Sequence, residues 1–134
     1  MPKSNYLKNK TLDHNMGKTA YTMPTTVYAA LCTVAVTTSM TGATITQATY
    51  TGYARVQVLA ASLGAASGGS MTNSADITWP EVQAGANTVV SVAICDAASG
   101  GNLLYFDGDV GTVEVSTAQT PPTVKAGSLV LTEE

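Results

Sequence analysis

The residues able to do chemistry in this chain are few and scattered. Its one histidine, His14, would have to serve any Ser–His–Asp arrangement, and no nucleophile elbow stands near it in sequence. A solvated or interface histidine is the expected role. Asp107-Gly108-Asp109 followed by Glu114 resembles part of a calcium loop. The next ligand position is Gly111, however, and the glutamate comes too soon for an EF-hand, so an ordinary turn is expected. Gly64, Gly68 and Gly69 fit neither a dinucleotide fingerprint nor a P-loop and are loop glycines. Trp79, Tyr50, Tyr53 and Tyr105 have the chemistry of a sugar-stacking platform. Aromatics make up only 6% of the chain, though, and Trp79 shares an alternation with Ala75 and Ile77, which favours core packing. Asn9-Lys10-Thr11 is a glycosylation sequon, with meaning only in a secreted chain. No catalytic residue, cofactor site or metal site is assigned, and the chain is expected not to be an enzyme.

Cys32 and Cys95 both lie in apolar, strand-like surroundings, where a thiol behaves as a small hydrophobe. Two free buried thiols are expected over a disulfide in a reducing compartment. Synthesis in the cytoplasm is expected because the start MPKSNYLKNK has no apolar signal-peptide core, and no apolar run reaches the length of a membrane span.

The 134 residues fit one domain, 45% hydrophobic and only 11% charged. Threonine, present 21 times, supplies polarity compatible with strands. Low charge also suits contact with neighbouring subunits, whose interface cores are poor in charged residues. The charge is segregated. Residues 1–18 carry Lys3, Lys8, Lys10 and Lys18 against Asp13, a net +3, while residues 19–134 carry −6. A basic arm on an acidic body points to docking on an acidic protein surface, with Lys3, Tyr6, Lys8, Lys10 and Lys18 as candidate partner-binding residues. Nucleic acid fits less well, since four lysines offer few phosphate contacts and the body would repel the polymer.

These side chains must be positioned by strands. Val90, Val92 and Ile94 alternate with Ser91 in Thr88–Cys95, Asp96–Gly101 has turn chemistry, and Leu103–Phe106 returns, so a β-hairpin is predicted as the centre of the fold. Further strands are predicted at Thr26–Val36, at Tyr53–Leu59 with Val56 and Val58 inward and Arg55 and Gln57 outward, and at Ser74–Trp79. Two more are predicted at Gly111–Ser116, with Val113 and Val115 inward, and at Leu129–Leu131. Ala60–Asn73 reads as a flexible excursion of small residues. The one helix predicted is Ser4–Met16, with Ser4 as N-cap, Leu7, Leu12 and Met16 near one stripe, and Gly17 as its stop. About seven strands separated by Gly, Pro and Ser turns predict a mainly all-β fold. The expected form is a single antiparallel β-sandwich or barrel, Ig-like or jelly-roll-like. A basic helix or arm over 1–18 would precede a β-sandwich over 19–134, and the β-domain is expected to fold without residues 1–16.

Several phrases in order resemble a family of small bacteriophage virion proteins usually described as tail fibre proteins. They are SNYLKNKTLDH at Ser4–His14, TAYTMPTTVYAALCT at Thr19–Thr33, GYARVQV at Gly52–Val58, NSADITWPE at Asn73–Glu81 and DAASGGNLLYF at Asp96–Phe106. The resemblance implies a β-rich structural component of the virion with no catalytic residues. A compact domain without long repeats or heptads does not by itself make a fibre shaft. The sequence reading therefore prefers a capsid decoration or cement role, on the major capsid protein or other virion subunits, over a tail-fibre role in binding a host surface glycan or receptor. A homo-oligomer, dimer or trimer, is expected.

Overall fold

The computed structural model describes residues 1–133. The helix forms where its signals lie. α1 spans Asn5–Asn15, Ser4 Oγ accepts the Leu7 N–H at 3.2 Å, and Gly17 follows the C-cap with φ of 71°. Its apolar stripe is largely outward. Leu7 is buried, but Leu12 is 63% and Met16 78% exposed.

The remaining elements are strands: β1 Val27–Cys32, β2 Val56–Val58, β3 Ser70–Thr72, β4 Ile77–Thr78, β5 Ala86–Val89, β6 Ser91–Cys95, β7 Leu103–Asp107, β8 Val113–Ser116, β9 Thr123–Val124 and β10 Val130–Thr132. The fold is all-β apart from α1 and a short 3-10 turn at Ala60–Ser62. Four strands form an antiparallel sheet in the order β2-β1-β6-β7, and the others pair as the ribbons β3/β10, β4/β9 and β5/β8. The ribbons make the second layer. One core cluster joins Ala29, Leu31, Val92 and Ile94 of the sheet to Ile77, Trp79, Val89 and Val115 of the ribbons. Ala30, Cys32, Ala93, Cys95, Leu103 and Phe106 point to the other face, which Val36 and Ile45 of the following loop cover. Burial on both faces accounts for the nearly unbroken apolar runs of β1 and β6.

The predicted hairpin is β6/β7, with two refinements. The run Thr88–Cys95 is two strands, because at Val90 the chain leaves the sheet to pair with β8. Val90 N–H donates to Cys32 O and Val90 O accepts from Val110 N–H, both at 2.9 Å. Val89, and not Val90, thus shares the core with Val92 and Ile94. In β7, the register slips opposite Ile94 and Cys95, leaving Leu104 as the extra residue, so Leu103 and Phe106 reach the same face.

Other expectations are corrected. Val113 is 45% exposed while Val115 is buried. Ala75 is exposed, and β4 keeps only Ile77 and Thr78. The excursion Ala60–Asn73 has structure: β3 pairs with β10, and buried Asn73 ties it down. Its Nδ2 donates to Ala75 O and Lys125 O, and its Oδ1 accepts the Leu129 N–H at 2.9 Å. Arg55, expected outward, is buried, because the loops at 41–47 and 96–101 close over that face of the sheet. The first residues belong to the β-domain as well. Ser4 N–H donates to Leu104 O at 2.8 Å, Phe106 N–H donates to Pro2 O at 3.1 Å, and Lys3 pairs with Tyr105. Deleting 1–16 would strip this edge of β7, so α1 is the appendage and residues 1–4 are not.

Both cysteines are free and buried. Cys32 lies opposite Ser91 and Cys95 opposite Tyr28, four positions apart along the β1/β6 pair. At ~3.4 Å per residue that separation is well beyond the reach of a disulfide. Burial first, and then neighbouring Cys95, push the Cys32 thiol from 9.0 up to about 12. A folded-state value raised above the unfolded one stabilises the fold below the unfolded value, and that stability is lost as pH rises through the folded value. The window is therefore from about pH 9 to about 12. In alkaline titration monitored by circular dichroism, Cys32→Ala is expected to flatten the loss of stability across that window. An unchanged slope would remove the thiol as its cause.

Candidate functional site

An apolar cleft of about 620 Å³ opens on one side of the sheet, within the usual size of ligand sites. Its floor is Val58 and Ile94 of the sheet with Leu104, and Leu7 of α1 reaches it from one side. One wall is the connector from Tyr21 to Val27, and the other is the excursion at Ala60–Met71 together with Leu131. The connector is held against the last turn of the helix, where His14 Nδ1 accepts the Tyr21 N–H at 3.0 Å. That bond gives the single histidine a structural partner. Met23, on the connector, is 79% exposed.

Two of the cleft's polar side chains, Tyr105 and Glu133, are engaged with each other. Tyr105 O–H donates to Glu133 Oε2 at 3.4 Å, and the other Glu133 oxygen pairs with Lys3 Nζ. Burial, and then Glu133, raise the Tyr105 phenol above its ordinary pKa, so it stays a protonated donor. A hollow lined mainly by apolar side chains can bind apolar side chains. Among the described residues that line it there is no cysteine or histidine.

None of the sequence-predicted contact residues lines this cleft. Lys3 is buried in its ion pair with Glu133. Tyr6 is half-buried on α1, with Lys10 Nζ 5.7 Å from its ring centroid. Lys8 and Lys18 are exposed. Of α1 only Leu7 lines the cleft; Lys8 and Lys10 lie elsewhere on the helix, and Lys18 sits at the start of the connector. The aromatic platform does not form: Trp79 and Tyr50 are buried, Trp79 Nε1–H donating to Ala29 O at 3.1 Å and Tyr50 O–H to Pro80 O at 2.8 Å. Asp107 Oδ1 accepts the Asp109 N–H and Asp109 Oδ1 the Gly111 N–H, the bonds of side-chain-closed turns. Among the described residues no group of three or more His, Cys, Asp or Glu is placed to hold a metal, and no helix is long and apolar enough to cross a membrane.

Sequence reasoning missed Tyr21, Met23, Met71 and Leu131 as lining residues. The usable signal was the isolated apolar residues set in small-residue and threonine-rich segments. A family model described as Podophage GP4 fiber I protein gp80 matches residues 2–132, a span that takes in α1, the sheet and the ribbons. No curated protein matches the sequence.

Proposed function

Because this chain belongs to the podophage GP4 fiber I protein gp80 family, a family of virion structural proteins, we propose that it works as a tail-fibre subunit by binding and not by catalysis. The observation that carries the reading is the end-to-end family match, which takes in every element around the cleft. The capsid-decoration role preferred from sequence gives way, because the family is described by a fibre protein and nothing favours the head. The apolar cleft and α1 supply the contact surface for neighbouring fibre or tail subunits. Host-surface binding by stacked aromatics is the weaker version, since Trp79 and Tyr50 lie in the core.

The test is position and copy number on purified particles. Antibody labelling in electron microscopy is expected to place the chain on the tail, with quantitative mass spectrometry giving far fewer copies than the major capsid protein. Head labelling at near-capsid stoichiometry would overturn the proposal.

A further inference from the structure

The connector between α1 and β1 is a strap along one wall of the apolar cleft, and its hydrogen bonds run to the helix. Lys18 and Thr19 N–H both donate to Asp13 O, at 2.8 and 3.2 Å, and Tyr21 N–H donates to His14 Nδ1 at 3.0 Å. Beyond that point the strap is thinly attached: among the described residues the backbones of Thr22, Met23 and Thr25 have no hydrogen-bond partner, and Met23 is 79% exposed. Gly17, where the strap leaves the helix, has φ of 71° and open space around it. Tyr21 is therefore the pinned residue, and it also lines the cleft together with Met23 and Pro24. The floor they help to cover, Val58, Ile94 and Leu104, is apolar and only 5, 4 and 4% exposed. Lifting the strap exposes that floor. The pin is an imidazole, the side chain that ordinarily changes charge between about pH 5 and 8.

We infer that His14 is a proton-operated latch on this strap: neutral, it holds the Tyr21 N–H and keeps the cleft narrow, and protonated, it releases the strap and opens the cleft. A nitrogen that accepts a hydrogen bond carries no proton, so the latched imidazole bears its hydrogen on Nε2. A proton taken from solvent by exposed His14 goes to Nδ1, turns the acceptor into a second donor and leaves the Tyr21 N–H facing it without a partner. The charge arrives in the last turn of α1, where the carbonyl end of a helix accommodates a cation, so the helix stays while the strap goes. Other charged and titratable groups lie nearby. Lys10 is one turn back on α1, and Asp13 and Lys18 flank His14 in the chain. Tyr6 of α1, Tyr105 of β7 and Asp96 of the turn between β6 and β7 act on the Tyr21 phenol. The inference rests on the reading of the cleft as a contact surface and adds its regulation; it is measured on the isolated chain, so the two fail separately.

The experiment is binding of Nile red, an uncharged apolar dye, to the full chain between pH 8 and pH 5, with circular dichroism at each pH to verify the fold. Two variants isolate the imidazole from the other titrating groups, which both retain. His14→Ala removes the acceptor. His14→Asn places Oδ1 where Nδ1 stands, an acceptor that does not titrate. Dye emission from the wild type is expected to rise about two- to tenfold on acidification, the effect of losing one exposed hydrogen bond. His14→Ala is expected to be high at both ends of the range and His14→Asn low at both. In the wild type, protection of the Tyr21 amide from hydrogen exchange is expected to fall over the same range, with α1 amides unchanged. Wild-type emission that is flat with pH, or a His14→Ala variant that keeps the wild-type pH dependence, would overturn the inference, as would a His14→Asn variant that opens with acid. A latch that works as described in a chain absent from the tail would sink the fibre reading and leave this one standing.

Discussion

Arg55→Met is expected to destabilise the protein by about 3–5 kcal/mol, the largest effect of any single polar substitution, although Arg55 touches no carboxylate. Its Nε donates to Gln47 Oε1 at 2.9 Å, Nη1 to Ala97 O at 2.8 Å and Gly100 O at 3.0 Å, and Nη2 to Gly42 O at 2.6 Å. The ion pairs among the described residues are Lys3–Glu133 and Lys125–Asp76, so carbonyl dipoles alone offset this buried charge. Methionine fills the volume but leaves three backbone carbonyls without their donor in a place that water reaches poorly. Arg55→Lys is expected to recover less than half of the loss, since one ammonium does not span acceptors arranged for a planar fork. The clamp has no slack elsewhere. A Cβ on Gly42 would lie 2.1 Å from Gly100 O, which is why the loop and the hairpin turn meet through a glycine. Urea unfolding followed by the fluorescence of the single tryptophan measures the loss. A change below about 1 kcal/mol in Arg55→Met would show that the carbonyls find water or new donors.

Trp79→Ala is expected to cost ~3–5 kcal/mol through the cavity it leaves. The melting temperature should fall by roughly 10–20 °C for a chain of this size. The indole is 2% exposed and sits between the sheet and the ribbons, so no exposed segment is placed to collapse into the space. It also donates to Ala29 O, an acceptor facing the interior. Trp79→Phe separates the two contributions: it keeps most of the ring volume and removes the N–H. A loss of about 1–3 kcal/mol is expected for it by thermal melting in circular dichroism. Equal losses in the Ala and Phe variants would assign the stabilisation to the hydrogen bond and leave packing with little.

Much of this architecture was written locally and could be read locally. Ser4 and Gly17 bracket α1 because a side-chain oxygen and a residue free to take positive φ are needed at those two points. The β6/β7 hairpin was visible because alternation and turn residues coincide. Arg55 was misread because alternation gives the side of the strand on which a residue lies, and not whether a distant loop covers that side. The break at Val90 left no mark, since valine suits a continuing strand and a departing one equally. Val113 misled in the same way: it shares the face of buried Val115, but alternation does not say how far along the strand that face stays covered. The candidates Lys8, Lys10 and Lys18 were chosen from charge segregation alone, and the fold leaves Lys8 and Lys18 exposed. The cleft was not legible, because it is assembled from the connector, the excursion and β10, segments whose proximity depends on long-range pairing such as β3 with β10.

The division of Ala86–Cys95 between two layers governs how the molecule can come apart. One stretch of backbone is hydrogen-bonded to β8 on one side of Val90 and to β1 and β7 on the other. Neither layer has a low-energy route to fray alone, so deuterium uptake at Thr88 and at Ala93 should follow one shared opening event. A subunit that opens all at once or not at all resists partial melting when its neighbours pull on it.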